Sequence, residues 1–390
     1  MKKIIVIGGG ASGITAAIFA ARYGHDVTVL EQNDRPLKKL HVTGNGRCNL
    51  TNLNWNDTHC LRSEDSKKAY EIIKRFDAEK TIGFFASIGI PVKDRNGWVY
   101  PRCDSAAAVA KALLYEAGQN KVRIKTNQKV LGIKRKEGGF SVFTDGWTYE
   151  CDCVIVSAGS MASVKEDGSF LVEKTAKSLG MCFLKQLPAL SGIKLKSNKL
   201  GVWSGVRIDS TVTLYIEGKK TVSERGELQL TENGISGIPA FQISRYAARA
   251  VDEGKSASVR IDFLPEYETE DIDAFVSDIK KRYPEKGLKD ILSGLLPEKL
   301  ASFLVAKKDN NRVSENIKNI EFAVKGCADI RTAQCASGGI ALFEVDENLQ
   351  SLKCPGLYFT GEALDVDGKC GGYNLQWAWS TGYAAGSAII

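Results

Sequence analysis

Three glycines near the start of the chain have the spacing of a phosphate-binding loop. Gly8, Gly10 and Gly13 form the pattern G-x-G-x-x-G between a short apolar run and an alanine-rich segment, which predicts a strand followed by a helix. The first glycine allows a tight turn, the second lets the backbone approach a pyrophosphate, and the third lets helix and strand pack closely. The helical pattern runs from Ile14 to Tyr23, and the N–H groups at the start of such a helix bind phosphates. Ala11 and Ser12, within the glycine motif, are expected to contact the cofactor.

An acidic residue follows at the end of the next predicted strand. Residues Asp26–Leu30 read DVTVL and lead into Glu31 and Gln32. A carboxylate at this position can accept hydrogen bonds from a ribose hydroxyl. The strand, helix, strand and terminal acid together predict a Rossmann-type dinucleotide-binding unit, which either NAD or FAD could occupy.

The segment after the acid favours FAD over NAD. A plain NAD-binding domain continues with another strand and helix, whereas residues 35–52 form a polar loop punctuated by glycines. Such a loop can wrap a long cofactor that lies across the edge of the sheet. The residues expected to contact the cofactor here are Lys39, Thr43, Gly44, Asn45, Gly46, Arg47, Cys48 and Asn49.

A second set of the same features stands at the other end of the chain. A predicted strand, Leu357–Thr360, runs into a glycine turn with acidic residues, and a glycine pair then precedes a small-residue helix over 377–390. That helix, starting near Asn374, would point its positive end at the negative charge that forms on the pyrimidine edge of a reduced flavin. The candidate cofactor contacts here are Gly361, Glu362, Asp365, Gly372, Tyr373, Asn374 and Leu375.

A middle segment is expected to bring the chain back to the cofactor. Residues 122–125, 129–135, 140–143 and 148–151 have the pattern of short strands, and residues 152–159 read as a buried strand. That last strand ends in Ala158 and Gly159, which we place beside the cofactor. The backbone at Val130 is expected to contact the adenine.

Composition excludes several classes of protein. The chain has 390 residues, of which 43% are hydrophobic and 25% charged, with a net charge of +7 and ten cysteines. No apolar run approaches the ~20 residues of a transmembrane helix. The absence of a CxxC motif, and of histidines near a cysteine pair, argues against a metal site and a redox dithiol. Ten unpatterned cysteines without a leader predict a reducing cytoplasm.

Four segments together resemble the BaiN/YhiN-like flavoprotein family of NAD(P)/FAD-dependent oxidoreductases. They are Gly8–Gly13 with Glu31, Lys39 with the run TGNGRCNLTN, residues 227–239 (ELQLTENGISGIP), and residues 356–386 with GEALDVDG and GGYNLQWAWSTG. The resemblance spans the whole chain.

The resemblance implies an α/β fold with a glutathione-reductase-like Rossmann domain that binds FAD. It also implies an inserted β-rich, barrel-like domain and a small helical domain. The expected boundaries are residues 1–188 and 347–390 for the FAD-binding domain, 189–265 and 321–346 for the β-rich domain, and 266–320 for the helical domain.

The family also implies a choice of reactions. One is reduction of a C=C bond conjugated to a ketone in a bile-acid or steroid-type substrate, which we favour, and the other is oxidation of a small aminoketone with O2. The sequence has no second G-x-G-x-x-G, so NADH or NADPH would bind transiently as electron donor, or another reductant would serve. Tyr373, Cys370 and Arg47 are the candidates for the active-site acid or hydrogen-bond donor.

A third hypothesis is that the chain is a flavin-dependent RNA-modifying protein. The net charge of +7 permits it, but no basic helix or basic patch interleaved with aromatic residues supports it. The expected partner is therefore a small molecule, with no membrane, while the oligomeric state stays open.

Overall fold

The computed structural model describes residues 1–55, 60–163, 170–307 and 312–389. These residues form two compact units, the first made of Met1–Gln186 and Cys335–Ile390 and the second of Leu187–Gln334. Residues 335–346, which the sequence places in the β-rich domain, therefore belong to the first unit. The helices of 266–320 share the second unit with the β-strands, and their assignment to a separate helical domain stays a prediction.

Strands and helices are numbered in chain order. The strands are β1 Lys3–Ile7, β2 Asp26–Leu30, β3 Thr51–Asn52, β4 Leu61–Arg62, β5 Val92–Arg95, β6 Trp98–Pro101, β7 Arg123–Lys125, β8 Val130–Lys136, β9 Gly139–Thr144, β10 Thr148–Cys151, β11 Cys153–Val156, β12 Phe183–Ala189, β13 Ile193–Leu195, β14 Arg207–Ile216, β15 Lys219–Thr231, β16 Gly234–Gly237, β17 Ala257–Asp262, β18 Ile320–Cys327, β19 Cys335–Ile340, β20 Leu357–Phe359 and β21 Asp367–Gly368. The helices are α1 Ala11–Arg22, α2 Ser66–Arg75, α3 Ala78–Ser87, α4 Ala106–Gln119, α5 Phe170–Ser178, α6 Ile238–Asp252, α7 Thr269–Arg282, α8 Leu288–Leu292, α9 Glu298–Val305, α10 Val313–Asn319 and α11 Tyr373–Ala388.

The first unit is built on a five-stranded parallel sheet in the order β20-β11-β1-β2-β7. Both faces of this sheet are buried. Ile4 and Val6 belong to one hydrophobic core and Ile5 and Ile7 to the other, because successive side chains of a strand point to opposite faces. The strand–helix–strand unit predicted at the start of the chain is confirmed, with α1 beginning at Ala11.

Smaller sheets accompany the parallel sheet. Strands β8, β9 and β10 form one three-stranded sheet, β3, β6 and β5 form another, and β21 pairs with β4 and β12 with β19. The predicted hairpin of β9 and β10 is confirmed. The predicted terminal helix begins earlier than residue 377, at Tyr373 directly after a glycine pair.

The second unit contains a closed barrel of six strands in the order β13-β16-β15-β14-β17-β18, which confirms the expected barrel-like region. In its long hairpin β14–β15, buried residues recur at every second position, at Ser210, Val212 and Leu214 and again at Leu228 and Leu230. The core includes the fully buried Trp203, which contacts the rings of Phe263, Phe303 and Phe322. Helix α7 lies in this unit where the sequence predicts a helix, and so does α9.

No helix among the described residues has the length and apolar character needed to cross a bilayer.

Helices α1 and α11 approach each other at backbone distance in the first unit. A Cβ on Gly382 of α11 would lie 2.5 Å from the carbonyl oxygen of Ser12 on α1. One turn later, a Cβ on Gly386 would overlap the carbonyl of Ala16. The two glycines are four residues apart and therefore lie on one face of α11. Glycine at both positions is what allows this contact.

Gly386→Ala should therefore destabilise the protein by about 1–3 kcal/mol, because the new methyl group forces the helices apart. Gly83→Ala is the matched control, since Gly83 lies in α3 with no described atom within 4 Å of its Cβ position. That change should stabilise by roughly 0.5–1 kcal/mol by removing glycine from a helix. Urea unfolding of the apoprotein, followed by far-UV circular dichroism, measures both. Equal midpoints for the two variants would contradict the close packing.

Candidate functional site

Two of the three motif glycines are required by the fold itself. A Cβ on Gly8 would overlap the carbonyl of Ser157, and a Cβ on Gly13 would overlap the carbonyl of Gly8. Gly8 also has a φ of +101°, which favours glycine. Gly10 differs, because no described atom lies within 4 Å of its Cβ position. Gly10 thus faces the open space in which the sequence predicts a pyrophosphate.

Helix α1 begins next to that space with an uncapped N-terminus. Gly10 is the N-cap, no side chain accepts a hydrogen bond from the first turn, and the first turn carries no acidic residue. The first N–H groups of a helix lack intrahelical partners and carry partial positive charge. The residues Ala11 and Ser12 therefore start a helix that suits a bound anion.

The carboxylate of Glu31 is buried and held rigidly at the end of β2. One oxygen accepts the N–H of Gly9 at 2.7 Å, and the other accepts the N–H and the side-chain amide of Asn33 at 2.8 and 2.6 Å. A carboxylate has about four acceptor sites, so these three bonds leave room for a ribose hydroxyl. Gln32, half-buried, follows it.

The segment carrying Val130 lies beside the same acidic residue. The N–H of Gln128 donates to the Glu31 carbonyl at 2.8 Å, and the N–H of Asn127 donates to the Asn33 carbonyl at 2.9 Å. Val130 is half-buried at the start of β8. Its expected contact with adenine is consistent with this position and stays a prediction.

The glycine-rich loop after Leu40 has an unusual backbone. Thr43 closes it by donating its hydroxyl to the Leu40 carbonyl at 2.7 Å and by accepting the Cys48 N–H at 3.1 Å. Four residues of the loop lie in the left-handed region, which favours glycine. The residues with positive φ are Gly44 (55°), Asn45 (54°), Gly46 (81°) and Cys48 (61°).

The side chain of Cys48 anchors this loop. Cys48 is fully buried and packs in the same core as Leu40 and Leu50. Burial raises the pKa of its thiol to about 12, because the apolar surroundings disfavour the thiolate. Cys48 therefore remains a neutral, unreactive thiol, and only its backbone can serve a cofactor.

Two asparagines connect this loop to the C-terminal glycine pair. The amide of Asn52 donates to the Gly371 carbonyl at 2.7 Å. The Asn49 amide, in the orientation that satisfies its neighbours, donates to the Thr51 carbonyl at 2.9 Å and accepts the Gly372 N–H at 3.3 Å. A Cβ on Gly372 would lie 2.5 Å from the Thr51 carbonyl oxygen. The two loops, although far apart in sequence, are in direct contact.

The same convergence occurs at the ends of the central strands. The Ser157 and Thr360 hydroxyls, directly after β11 and β20, are 2.6 Å apart. A Cβ on Gly361 would lie 2.6 Å from the Ser12 hydroxyl. Ala158–Gly159 follows at this edge and is half-buried. Ligands of open α/β sheets bind at this carboxyl edge.

A polar cluster centred on Glu362 lies near this edge. Lys39 Nζ is 2.6 Å from one carboxylate oxygen of Glu362, and the Ser160 hydroxyl donates to the other. Ser160 also accepts the Ala162 N–H at 3.1 Å. Both predicted residues, Lys39 and Glu362, are thus in one hydrogen-bonded group.

The N-terminus of α11 is also uncapped. Gly372 is its N-cap with a φ of 96°, with no side-chain cap and no acidic residue in the first turn. The Asn374 side chain exchanges two hydrogen bonds with the backbone of Gly368, at 2.8 and 3.0 Å. Leu375 packs against the hydrophobic core. The start of α11 is therefore fixed, with its positive end toward the glycine loop.

The three candidate catalytic residues have different surroundings. The Tyr373 hydroxyl donates to the Asn54 carbonyl at 2.8 Å, and its buried ring packs edge-on against Trp55 with centroids 4.8 Å apart. Arg47 is exposed, and Cys370 is half-buried in the loop before the glycine pair. These contacts give Tyr373 a clear packing role, and its part in proton transfer stays a prediction.

Asp365 is fully buried and already occupied by the backbone. One of its carboxylate oxygens accepts the Gly338 N–H at 2.9 Å and the other accepts the Glu64 N–H at 3.3 Å. These bonds connect three separate segments of the first unit. Asp365 therefore supports the loop that contains Glu362, and direct contact with a cofactor stays a prediction.

Three residues at this site were not selected from the sequence. Asn52 lies in the same polar run as Asn49, so the polar character of that run could have identified it. Ser160 directly follows Gly159 at the end of β11. Trp98, whose ring lies 2.9 Å from the Cβ position of Gly371, carries no sequence signal beyond its place in a strand.

No group of His, Cys, Asp and Glu in the described ranges could hold a metal ion, and His59 lies outside those ranges.

Comparison with known proteins agrees with these features. Residues 2–388 match the model of the HI0933-like protein Rossmann domain. The chain is 40% identical to the 3-dehydro-bile acid delta(4,6)-reductase of Clostridium scindens, over 100% of this chain and 99% of that protein. It is 27% identical to the ribosomal RNA dihydrouridine synthase of Escherichia coli, over 99% and 97% of the two chains.

A solved structure shares the fold. The 3-ketosteroid-delta4-(5alpha)-dehydrogenase of Rhodococcus jostii, in complex with 4-androstene-3,17-dione, aligns with a TM-score of 0.50 at 15% identity, covering 99% of this chain and 96% of that chain. The predicted Rossmann-type FAD-binding fold and the resemblance to the BaiN/YhiN-like family are both confirmed. The open space at Gly10, the uncapped α1 and the fixed Glu31 fit FAD.

Gly10→Val tests the pyrophosphate position. The backbone of Gly10, with φ −76° and ψ −173°, accepts any residue, so apoprotein stability should change by no more than about 0.5 kcal/mol. The isopropyl group would enter the space before α1, and FAD affinity should fall about 10-fold or more. Flavin fluorescence titration of the apoprotein measures this. A wild-type affinity would contradict the assignment.

Asn52→Leu tests the link between the two loops. The change leaves the Gly371 carbonyl without its amide donor, which costs about 1–3 kcal/mol. We also expect weaker FAD binding, because Gly371 and Gly372 precede α11. Asn54→Ala is the control, since that exposed side chain makes one 3.3 Å bond to the Asn96 carbonyl. Thermal unfolding with and without FAD measures both variants, and identical behaviour would disprove the link.

Proposed function

The chain belongs to the HI0933-like Rossmann-domain family and is an FAD-dependent oxidoreductase, and we propose that it reduces a C=C bond conjugated to a ketone in a steroid-like substrate. The observation that carries this proposal is the full-length similarity to a 3-dehydro-bile acid delta(4,6)-reductase. The electron donor in the proposal is NADH or NADPH.

The overall reaction balances without a further reactant. One NAD(P)H, one proton and the enone give NAD(P)⁺ and the saturated ketone. When bound, FAD supplies two-electron hydride chemistry between donor and substrate. The protein must bind and orient the cofactor, hold negative charge where it develops, and deliver a proton to the carbon next to the ketone.

The first unit offers a residue for each binding task. The N–H groups at the start of α1 would hold the pyrophosphate, and Glu31 would accept from the adenosine ribose. The N–H groups at the start of α11 would stabilise negative charge at the pyrimidine edge of the isoalloxazine. The cluster of Lys39, Ser160 and Glu362 lies near the edge between them, where the ribityl chain would run.

Reduction of uridine in ribosomal RNA is the second candidate, favoured by the similarity to a dihydrouridine synthase. Dihydrouridine is uridine whose C5=C6 bond, conjugated to the C4 carbonyl, has been reduced. The reaction class is therefore the same as for a steroid enone. Both relatives support enone-type reduction, and the bile acid reductase, which has the higher identity to this chain, supports a steroid substrate.

The charges of the second unit favour the small molecule. RNA binding requires an excess of cations that phosphates can neutralise, but four arginines there are each matched by at least one carboxylate, so these groups carry no net positive charge. These pairs are Arg207–Glu227 at 2.8 Å, Arg225–Asp209 at 2.8 Å, Arg260–Glu321 at 3.0 Å and Arg312–Asp273 at 2.5 Å.

Anaerobic spectroscopy of the FAD-loaded protein tests the proposal. The flavin is first photoreduced without any nicotinamide, and a steroid 4-en-3-one or 4,6-dien-3-one is then added. Reappearance of the oxidised flavin spectrum with formation of the saturated ketone is the expected result. Oxidation by a uridine-containing ribosomal RNA fragment, and not by the steroid, would replace the proposal with the second candidate. Bleaching of oxidised flavin by an aminoketone, followed by recovery in air, would identify an amine oxidase.

Tyr373→Phe separates packing from catalysis. Loss of the hydroxyl bond to the Asn54 carbonyl should cost about 0.5–1.5 kcal/mol of stability. A proton donor would in addition lower the rate of substrate reduction about 10²-fold or more, while flavin reduction by NAD(P)H would stay the same. Stopped-flow measurement of the two half-reactions gives both rates. An unchanged substrate rate would remove Tyr373 from the catalytic candidates.

A further inference from the structure

A cationic face lies on the small sheet of β3, β6 and β5. Lys93 and Arg95 are two residues apart on β5 and therefore point to the same side of the sheet. Tyr100 and Trp98 of β6 stand opposite them in register and therefore share that side. Arg47, from the glycine-rich loop, is the third cation, and we use the name "cationic face" for Arg47, Lys93 and Arg95.

Two of these three cations contact a single carboxylate, and the third acts on it through its charge. Lys93 and Arg95 both contact the same oxygen of Asp104, Arg95 at 2.8 Å. These two bonds and the positive charge of Arg47 lower the pKa of Asp104, which therefore stays ionised at neutral pH. Asp94 lies on the opposite side of β5. The group of four side chains thus carries a net charge of +2.

The cationic face adjoins both loops assigned to FAD. A ring carbon of Tyr100 lies 3.5 Å from the Cβ position of Gly44, and the Trp98 ring lies 2.9 Å from that of Gly371. The Arg95 guanidinium lies 5.4 Å from the centre of the Tyr100 ring, which orients it beside the loop. Side-chain exposures of 21% for Lys93 and 43% for Arg95 leave both cations accessible to a ligand.

We propose that the cationic face binds the diphosphate of the nicotinamide dinucleotide that reduces the flavin. This inference rests on the proposed function and specifies where its donor binds. The chain has no second G-x-G-x-x-G to hold such a diphosphate, and the diphosphate carries two negative charges, which match the net charge of the group. Guanidinium groups suit phosphate because their N–H donors bind it in pairs.

The test compares donors with and without phosphate. Anaerobic stopped-flow reduction of the flavin is measured with NADH, NADPH and dihydronicotinamide riboside, which has the same hydride-donating ring but no phosphate. For Arg95→Gln and for Lys93→Gln, we expect the apparent Kd for NADH and NADPH to rise about 10-fold. The reaction with dihydronicotinamide riboside should not change. Raising the salt concentration should weaken dinucleotide binding in the wild-type protein more than in the variants.

Arg123→Gln is the matched control. Arg123 is an exposed arginine in an ion pair with Asp26, and it lies at the amino end of β7, away from the carboxyl edge of the parallel sheet. Its removal changes the net charge by the same amount and should leave the Kd of every donor unchanged. An equal loss in Arg123→Gln and Arg95→Gln would mean that only overall charge matters, which would overturn the proposal.

Other results would also overturn it. These are an unchanged Kd for NADH in both cationic-face variants, or an equal effect of the substitutions on dihydronicotinamide riboside. Failure of the proposed function is distinguishable, because substrate reduction is measured on photoreduced protein without nicotinamide. A protein that reduces the steroid in that assay but accepts no electrons from either dinucleotide would refute this inference and the nicotinamide donor, while steroid reduction would stand.

Discussion

The rest of the first unit depends on how closely helix α1 is held on its two sides. Toward the sheet, Gly8 and Gly13 meet each other and Ser157 at distances that exclude a Cβ. Toward α11, Gly382 and Gly386 do the same against the α1 backbone. Close-packed interiors cannot absorb an added methyl group without shifting the backbone. The position of α1 is therefore fixed by backbone contact, before any side chain of the site is considered.

Fixing α1 against α11 also fixes the distance between two uncapped helix N-termini. Gly382 contacts Ser12 near the start of α1. Gly382 lies nine positions after Tyr373, so the start of α11 is about 14 Å away from this contact along the helix. FAD carries a pyrophosphate in its middle and a ring system that becomes negative on reduction at one end. Two positive helix ends at this separation suit such a molecule. The asparagines at positions 49 and 52 then hold the glycine pair before α11 in place.

The sequence predicted features that arise from local spacing. The motif glycines, Glu31 and the strand–helix–strand unit depend on neighbouring residues, and their periodicities are visible in the chain. Features that depend on distant backbone groups were not predictable. Asp365 reads as a cofactor ligand next to a glycine turn, and nothing in its neighbourhood reveals that Gly338 and Glu64 occupy its oxygens. The four-residue strand VKDR at β5 reads as a charged surface segment until β6 places Tyr100 and Trp98 opposite Lys93 and Arg95.

The proposed steroid substrate and the alternative, uridine in RNA, place the same demands on the backbone of the first unit. The start of α1, where we propose that the pyrophosphate binds, and the start of α11 are formed by N–H groups, glycines and buried polar side chains such as Asn49. Substitution at exposed positions such as Arg47 or at half-buried Cys370 leaves these supports intact. A steroid enone and a uracil ring both present a C=C bond conjugated to a carbonyl, so both need the same hydride geometry and the same stabilisation of negative charge. Discrimination between the steroid and the uracil ring must then come from side chains that do not bind the cofactor. The charge and the apolar surface of those side chains would decide which substrate binds.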